Sequence, residues 1–422
     1  MLQTPNTAGF DGLHLSPRTL ATLSKLGYST PTPIQAATIP SAVDGKDVIG
    51  LAQTGTGKTL AFALPIVERV QKGQCALVMA PTRELALQIE ETLRKLNLRT
   101  ALLVGGAPMG RQISQLKTNP TVVVATPGRL EDHLKQRNLT LKAVSIVVLD
   151  EADRMLDLGF APAIRRILSQ TPWPRQTLLF SATMPKDIAS LADEYLQDPV
   201  RVEIARPGTA AANVTQELIV IPGEAKESTL QDLLYESKGP VLVFARTRHG
   251  ARKLAKTVRN MGHSAAELHS DRTLNQRREA MTGFKSGSYR ILVATDIAAR
   301  GIDVKDIELV INYDVPDCAE DYVHRIGRTG RAGASGRAIT LATPAQHKDI
   351  RDIERIMKTK MELSPKSTTN FPAGAPQAQP KPGANRGGGG GQGGARPNSR
   401  HGSPKGPGRP FSGPRPARPR VA

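Results

Sequence analysis

The chain reads as an α/β protein with two parallel-sheet domains in tandem, followed by a basic tail. Three observations carry this expectation. Short Val/Ile/Leu-rich runs recur at intervals filled by helix-like segments. The series stops near Ile204 and resumes after a stretch rich in Pro, Gly and small residues. From about Pro372 the composition turns to Pro, Gly, Arg, Gln and Ser. A strand covered on both faces needs an unbroken apolar run, and strands alternating with helical stretches indicate α/β architecture.

In the first half the runs are Asp47–Leu51, Cys75–Ala80, Thr100–Val104, Thr121–Ala125, Ser145–Leu149 and Thr177–Phe180. In the second they are Glu217–Ile221, Val241–Phe244, Ser264–Leu268, Ile291–Ala294, Leu309–Ile311 and Ala338–Leu341. The expected organisation is a first domain over 1–204, a linker over 205–216, a second domain over 217–362 and a tail over 363–422. The tail cannot bury enough apolar surface to offset its ordering entropy and is expected to be disordered.

The formal net charge is +19, and hydrophobic residues make up 39% of the chain. Residues 363–422 contribute ten Lys or Arg and no Asp or Glu, leaving +9 on residues 1–362. Both parts favour polyanions, nucleic acid first among them, although positive charge also serves solubility. No apolar run reaches the roughly eighteen residues a membrane span needs, and the polar start, Met1 to Phe10, lacks a signal-peptide core. A cytoplasmic protein without a membrane partner is expected. Cys75 and Cys318 have no metal-ligand spacing and are expected to be buried, inert thiols.

Ala52-Gln53-Thr54-Gly55-Thr56-Gly57-Lys58-Thr59 follows the first run and opens a helix-like segment. Small residues here let successive backbone N–H groups, those of Thr54, Gly55, Thr56 and Gly57 among them, face phosphate oxygens at a helix N-terminus. Lys58 would reach the β/γ-phosphates and Thr59 would hold Mg²⁺. Ala52 departs from the strict phosphate-loop pattern at its first position, and a Gly-rich turn is the alternative. The run Val144–Leu149 ends in Asp150-Glu151-Ala152-Asp153. There Asp150 can coordinate Mg²⁺ through water, and Glu151 can orient and deprotonate an attacking water. Without Lys58 and Thr59 the acidic pair would read as a solvated turn.

These motifs belong to an ordered series that resembles the DEAD-box ATP-dependent RNA helicases over roughly residues 10–360. Phe10 and Gly27–Gln35 are similar to the family's Q motif. Ala52–Thr59, Pro81–Ala86, Gly105-Gly106, Thr126–Arg129, Asp150–Asp153 and Ser181-Ala182-Thr183 follow in order. Val243–Thr247, Ala294–Asp303 and His324–Arg331 complete the series in the second half. The resemblance implies two RecA-like domains, ATP and Mg²⁺ as ligands, and RNA as partner. It implies that Gln35 reads adenine, whose edge suits an amide with one donor and one acceptor side, and that Phe10 packs on the base. By resemblance Gly301 and Asp303 lie at the nucleotide, Asp303 on the ribose hydroxyls. By the same resemblance Arg328 and Arg331 would act as arginine fingers, an effect worth about 10³–10⁵ in rate in comparable NTPases. Asp153, Ser181, Ala182, Thr183 and His324 are the expected coupling residues.

Candidate RNA contacts in the first half are Arg83, Gly105, Gly106, Thr126, Pro127, Gly128 and Arg129, at strand-to-helix transitions where open α/β sheets bind ligands. Glycine permits close backbone approach; Arg and helix N-termini supply positive potential. In the second half the candidates are Arg246, Arg277, Thr295 and Asp296. Contacts to phosphate and sugar carry little sequence information, so recognition is expected to be largely sequence-independent. The chain departs from the family where Ser270 stands for a common Gly and Leu274 for a common Gln. Trp173, between two prolines, reads as a loop anchor.

The expected activity is RNA-dependent ATP hydrolysis coupled to interdomain closure and local duplex unwinding. An ATP-gated RNA clamp, a DNA helicase and an annealing activity from the tail are the competing readings. The compact core with a short basic extension looks like the bacterial RhlE-type subgroup, which implies ribosomal or RNA-decay partners. A monomer is assumed.

Overall fold

The computed structural model describes residues 9–53, 55–204, 214–299, 304, 307–330 and 335–371. The first sheet comprises β1 (Val48–Leu51), β2 (Cys75–Met79), β3 (Thr100–Leu103), β4 (Val122–Ala125), β5 (Val144–Leu149), β6 (Gln176–Ser181) and β7 (Val200–Glu203). They are all parallel, in the order β3-β4-β2-β5-β6-β1-β7. The second comprises β8 (Val214–Val220), β9 (Val241–Phe244), β10 (Ala265–Leu268), β11 (Ile291–Ala294), β12 (Leu309–Asn312), β13 (Gly336–Ala342) and β14 (Glu362–Leu363). It is parallel too, in the order β10-β11-β9-β12-β13-β8-β14.

Nine helices accompany the first sheet among the described residues: α1 (Pro17–Lys25), α2 (Pro33–Val43), α3 (Lys58–Arg69), α4 (Arg83–Lys95), α5 (Met109–Leu116), α6 (Pro127–Lys135), α7 (Ala152–Asp157), α8 (Ala161–Leu168) and α9 (Lys186–Tyr195). Six accompany the second: α10 (Lys226–Glu236), α11 (Arg248–Asn260), α12 (Leu274–Lys285), α13 (Asp296–Ala299), α14 (Ala319–Ile326) and α15 (His347–Met357).

Each sheet separates two cores, because alternate residues of a strand point to opposite faces. Val48, Ala76 and Val78 pack with Leu60, Leu85 and Ile89 on one face of the first sheet. Ile49, Leu77 and Met79 pack with Leu130, Met155 and Ile164 on the other. In the second sheet Leu242 and Phe244 join Phe284, Tyr322 and Ile353, while Val241 and Val243 join Leu230 and Leu254. Helix starts follow local chemistry. Thr82 caps α4 by accepting from the Leu85 N–H at 3.3 Å, and Thr273 with Gln276 forms a capping box on α12.

All twelve expected runs are strands, and each sheet carries one more, β7 and β14, at an edge. Only Val202 of β7 is buried, and both residues of β14 are exposed, so neither leaves an apolar run to read. The second series starts at Val214, inside the expected linker; residues 205–213 lie outside the described residues. Residues 363–371, assigned to the tail by composition, lie along β8. Ser364 N–H donates to Leu218 O at 2.8 Å, Thr368 N–H donates to Val220 O at 3.2 Å, and Phe371 packs on the second core. Residues 372–422 lie outside the described residues. Among those described, no helix is long and apolar enough to cross a membrane. Cys75 is half-buried rather than buried, yet loss of water around its thiol pushes it up to about 11, as an inert thiol requires. Cys318 is exposed, contrary to expectation; it stands at the N-cap position of α14 and belongs to no core.

Candidate functional site

Three neighbouring strands deliver the nucleotide-site candidates to one end of the first sheet. β6 lies between β5 and β1, with Leu51 in register with Ser181 and Leu149 with Leu179. The loop after β1, the acidic turn after β5 and the Ser181 loop after β6 therefore leave the sheet side by side. Ala52 N–H donates to Ser181 O at 3.0 Å, which ties the loop after β1 to the loop after β6.

The phosphate loop needs glycine where it turns. Gly55 and Gly57 have φ of 86° and 91°, a region open to glycine at little cost. A Cβ on Gly57 would lie 2.5 Å from Gln35 Nε2. Lys58 is buried, and its Nζ donates to Ala52 O at 2.9 Å. Thr56 Oγ1 donates to Gln53 O at 2.7 Å. Thr59 follows Lys58 in the first turn of α3; Thr54 lies outside the described residues.

Gln35 ties two motifs together. Its Oε1 accepts from the Thr32 N–H at 2.9 Å, and its Nε2 donates to Gly57 O at 2.9 Å. One N–H and one lone pair of the amide remain for a base. Phe10 is 5% exposed and belongs to the core above the same face, with Leu13 and Ile34.

At the acidic turn Asp150 Oδ1 accepts from the Glu151 N–H at 3.0 Å. Burial raises the Asp150 carboxyl to about 7, against the opposing pull of Lys58. Glu151 has φ 50° and ψ 54°, a left-handed conformation that costs a non-glycine residue roughly 1–3 kcal/mol and persists where the surroundings impose it. Asp153 is a hub. Its Oδ2 accepts from Ala182 N–H at 3.1 Å, Thr183 N–H at 2.9 Å and Thr183 Oγ1 at 2.9 Å. Its own N–H donates to Ser181 Oγ at 3.2 Å.

The second domain faces this turn. His324 on α14 is held near pKa 4, first by burial, with the cations of Arg328, Lys58 and Arg154 adding to the effect and Asp153 opposing it. Arg328 is 2% exposed, and its Nε donates to His324 O at 3.1 Å. Gly301, Asp303 and Arg331 lie outside the described residues.

On the candidate RNA side, Arg83 lies over Gly105 and Gly106. A Cβ on Gly106, whose φ is 76°, would meet Arg83 Nη1 at 2.4 Å. Arg129 Nη1 donates to Ala107 O at 3.0 Å, holding the start of α6 against that loop. Thr126 precedes α6, Pro127 opens it, and a Cβ on Gly128 would meet nothing within 4 Å. The α6 N-terminus is thus open to close approach by an anion.

In the second domain two candidates are engaged within the protein. Arg277 is 5% exposed and pairs with Glu84 at 2.5 Å. Asp296 accepts a two-pronged pair from Arg325, Nε to Oδ1 at 2.5 Å and Nη2 to Oδ2 at 2.7 Å. Both read as RNA contacts in the sequence; here the opposite charge supplied by the fold occupies them. Arg246 Nη2 donates to Val315 O at 3.3 Å, and Arg246 Nε lies 3.3 Å from Asp317. Thr295 N–H donates to Leu268 O at 3.2 Å. Sequence reasoning missed Glu84 and Arg325. Arg325 is 1% exposed in its side chain and sits 5.0 Å from the Phe244 ring centroid. Its place beside His324 was the available signal.

Comparison with known proteins identifies the family. The DEAD/DEAH box helicase family matches residues 32–191, and the helicase conserved C-terminal domain matches residues 225–333. DEAD-box ATP-dependent RNA helicase CshA of Bacillus subtilis (strain 168) is 43% identical over 364 residues, covering 84% of this chain and 74% of that protein. DEAD-box ATP-dependent RNA helicase 30 of Arabidopsis thaliana is 44% identical over 361 residues; the match takes in 82% of this chain but only 61% of the plant protein. The structure of S. cerevisiae Dbp5 bound to RNA and ADP BeF3 is 28% identical with a TM-score of 0.76, over 85% of this chain and 96% of that one. With two RecA-like domains and this ordered set of motifs, the chain belongs to the DEAD-box ATP-dependent RNA helicases.

Proposed function

We propose that this helicase hydrolyses ATP at a site completed by both domains, and that closing the domains on RNA separates short duplexes locally. The observation that carries the reading is the Asp153 hub. It joins the acidic turn to the Ser181–Thr183 loop, while His324 approaches from the second domain with Arg328 bonded to its carbonyl. A change at the nucleotide is therefore felt at the domain boundary. ATP and RNA that each favour the closed arrangement must strengthen one another's binding.

In this proposal Lys58 and the loop N–H groups hold the phosphates, Glu151 orients the attacking water, and Arg328 with Arg331 offsets charge growing on the γ-phosphate. Thr59 and Asp150 would hold Mg²⁺, which supplies charge neutralisation between the phosphates. A hydroxyl and a buried carboxylate suit this hard cation, which keeps waters and phosphate oxygens as its other ligands. Arg83, Arg129 and the α6 N-terminus form the phosphate-facing surface for RNA. The tail over 372–422 tethers RNA without sequence preference and raises its local concentration. A cytoplasmic setting and ribosomal or RNA-decay partners belong to the same proposal.

The test is phosphate release from ATP without nucleic acid, with single- and double-stranded RNA, and with matched DNA. Glu151→Gln serves as the control. Stimulation by RNA alone, lost in the variant, is expected. Equal stimulation by DNA refutes RNA selectivity.

A further inference from the structure

The end of the first sheet away from the nucleotide carries a second feature. Loops preceding β2, β3, β4 and β5 enclose a groove of about 960 Å³, a volume near the upper end of ligand pockets. It lies at the N-terminal ends of these strands, whereas the Asp150 turn follows the C-terminal end of β5. A six-residue strand separates the two ends by roughly 20 Å.

Its chemistry is one-sided. The floor is apolar and includes half-buried Ile113, Leu116 and Leu139. Four exposed cations, Lys72, Arg99, Lys117 and Arg137, stand at the rim, one from each of four separate segments. Among the described residues that line the groove none is acidic and none is aromatic. Several other exposed cations of this domain have carboxylate partners, as in Lys95–Glu91, Arg165–Glu194 and Arg166–Glu131. Among the described residues, no ion pair involves any of the four. Compensation of helix dipoles is already supplied by Arg69, Arg94, Lys95 and Lys135 in the last turns of α3, α4 and α6.

We infer that this groove docks an acidic, amphipathic segment of a partner protein, its apolar face on Leu116 and its neighbours and its carboxylates on the four cations. Charge complementarity selects the occupant. The chain's own basic tail is excluded by its sign. Single-stranded RNA would satisfy the cations, but the groove offers no aromatic ring on which bases could stack, and it presents an apolar floor. An amphipathic helix uses such a floor through residues spaced i, i+3, i+4 and i+7.

The experiment uses the full chain and a fluorescein-labelled 16-residue Glu/Leu peptide with Leu at helical spacing, read by fluorescence anisotropy at physiological salt. A scrambled peptide of the same composition and a 16-nucleotide oligo(U) are run beside it. The docking variant is Arg99→Glu/Arg137→Glu, and Leu116→Ser probes the floor. Unchanged RNA-stimulated ATPase reports that each variant is folded. The expected result is at least tenfold weaker binding of the amphipathic peptide to both variants, with oligo(U) affinity unchanged. Equal binding of the scrambled peptide overturns the inference, because charge alone would then suffice. So does unchanged peptide affinity in the variants. Loss of oligo(U) binding without loss of peptide binding would reassign the groove to RNA.

Discussion

Arg277 of α12 and Glu84 of α4 form a buried ion pair across the two domains, Nε to Oε1 at 2.5 Å, with 6% and 3% of their side chains exposed. Neither Glu84 oxygen nor Arg277 Nε makes a well-aligned hydrogen bond, so charge attraction holds the contact. Burial raises the Glu84 pKa and Arg277 opposes that rise. Leu274, one turn earlier on α12, packs against the first-domain core. The residue that departs from the family pattern thus gives the closed arrangement an apolar foothold beside the pair.

Glu84→Gln leaves Arg277 buried without a counter-charge. Breaking a buried pair from one side costs about 3–5 kcal/mol. All of it falls on the closed arrangement, since opening restores Arg277 to water. RNA-stimulated turnover is expected to drop at least about 100-fold by that cost, with nucleotide binding in the absence of RNA little changed. Glu84→Leu with Arg277→Met, an apolar pair of similar volume, recovers part of the loss. Steady-state ATPase with and without RNA reads both; a single variant with wild-type turnover would remove the pair from the closing equilibrium.

Much of the fold was legible because of how it is buried. β2, β4 and β5 lie inside the sheet with both faces covered, so their residues form unbroken apolar runs. The edge strands β7 and β14 carry no such pattern. The acidic turn and the phosphate loop were legible because each is contiguous in sequence. Glu84–Arg277 and Asp296–Arg325 were not, because each pair joins distant segments. A lone Arg or Asp in a motif looks like a ligand contact until its partner is placed. Gln35 shows the same limit: its fitness for adenine could be argued from its amide, but its bond to Gly57 O could not.

Gly57 and Gly128 should respond differently to the same substitution. Gly57→Ala forces a side chain into a left-handed position and to within 2.5 Å of Gln35 Nε2. It is expected to lower thermal stability and to weaken ATP binding at least tenfold. Gly128→Ala meets nothing within 4 Å in the protein. Its melting temperature should match wild type, while RNA affinity falls as the methyl group meets the backbone at the α6 N-terminus. Unchanged RNA affinity in Gly128→Ala would remove that terminus from the RNA surface.

Asp153→Ala removes the acceptor of four donors at once, three of them the backbone N–H groups of Arg154, Ala182 and Thr183. A bond to a charged acceptor contributes about 1.5–3 kcal/mol, and an orphaned buried donor costs about 1–3 kcal/mol. Thr183→Val removes one donor and orphans no backbone group. Urea unfolding should therefore show Asp153→Ala losing at least twice the stability lost by Thr183→Val. Equal losses would mean that the loop N–H groups find water when the carboxylate is gone.

His324 predicts a pH dependence for closure. Its pKa in the closed arrangement is depressed to about 4 from an ordinary 6.5, first by burial. A depressed histidine favours closure fully above the ordinary value and loses that contribution as pH falls toward the depressed one, because the open state takes up the proton the closed state refuses. The window is therefore pH 6.5 down to about 4. Within it the closing equilibrium should weaken by up to about tenfold per unit. Asp150, raised to about 7, titrates nearby and adds its own dependence, so the comparison must be with His324→Gln. Interdomain energy transfer in saturating RNA and ATP analogue, followed from pH 7.5 to 5, should fall more steeply in wild type than in His324→Gln. Parallel curves would show that His324 carries no part of the proton linkage, leaving the acid sensitivity to the carboxylates of the first domain.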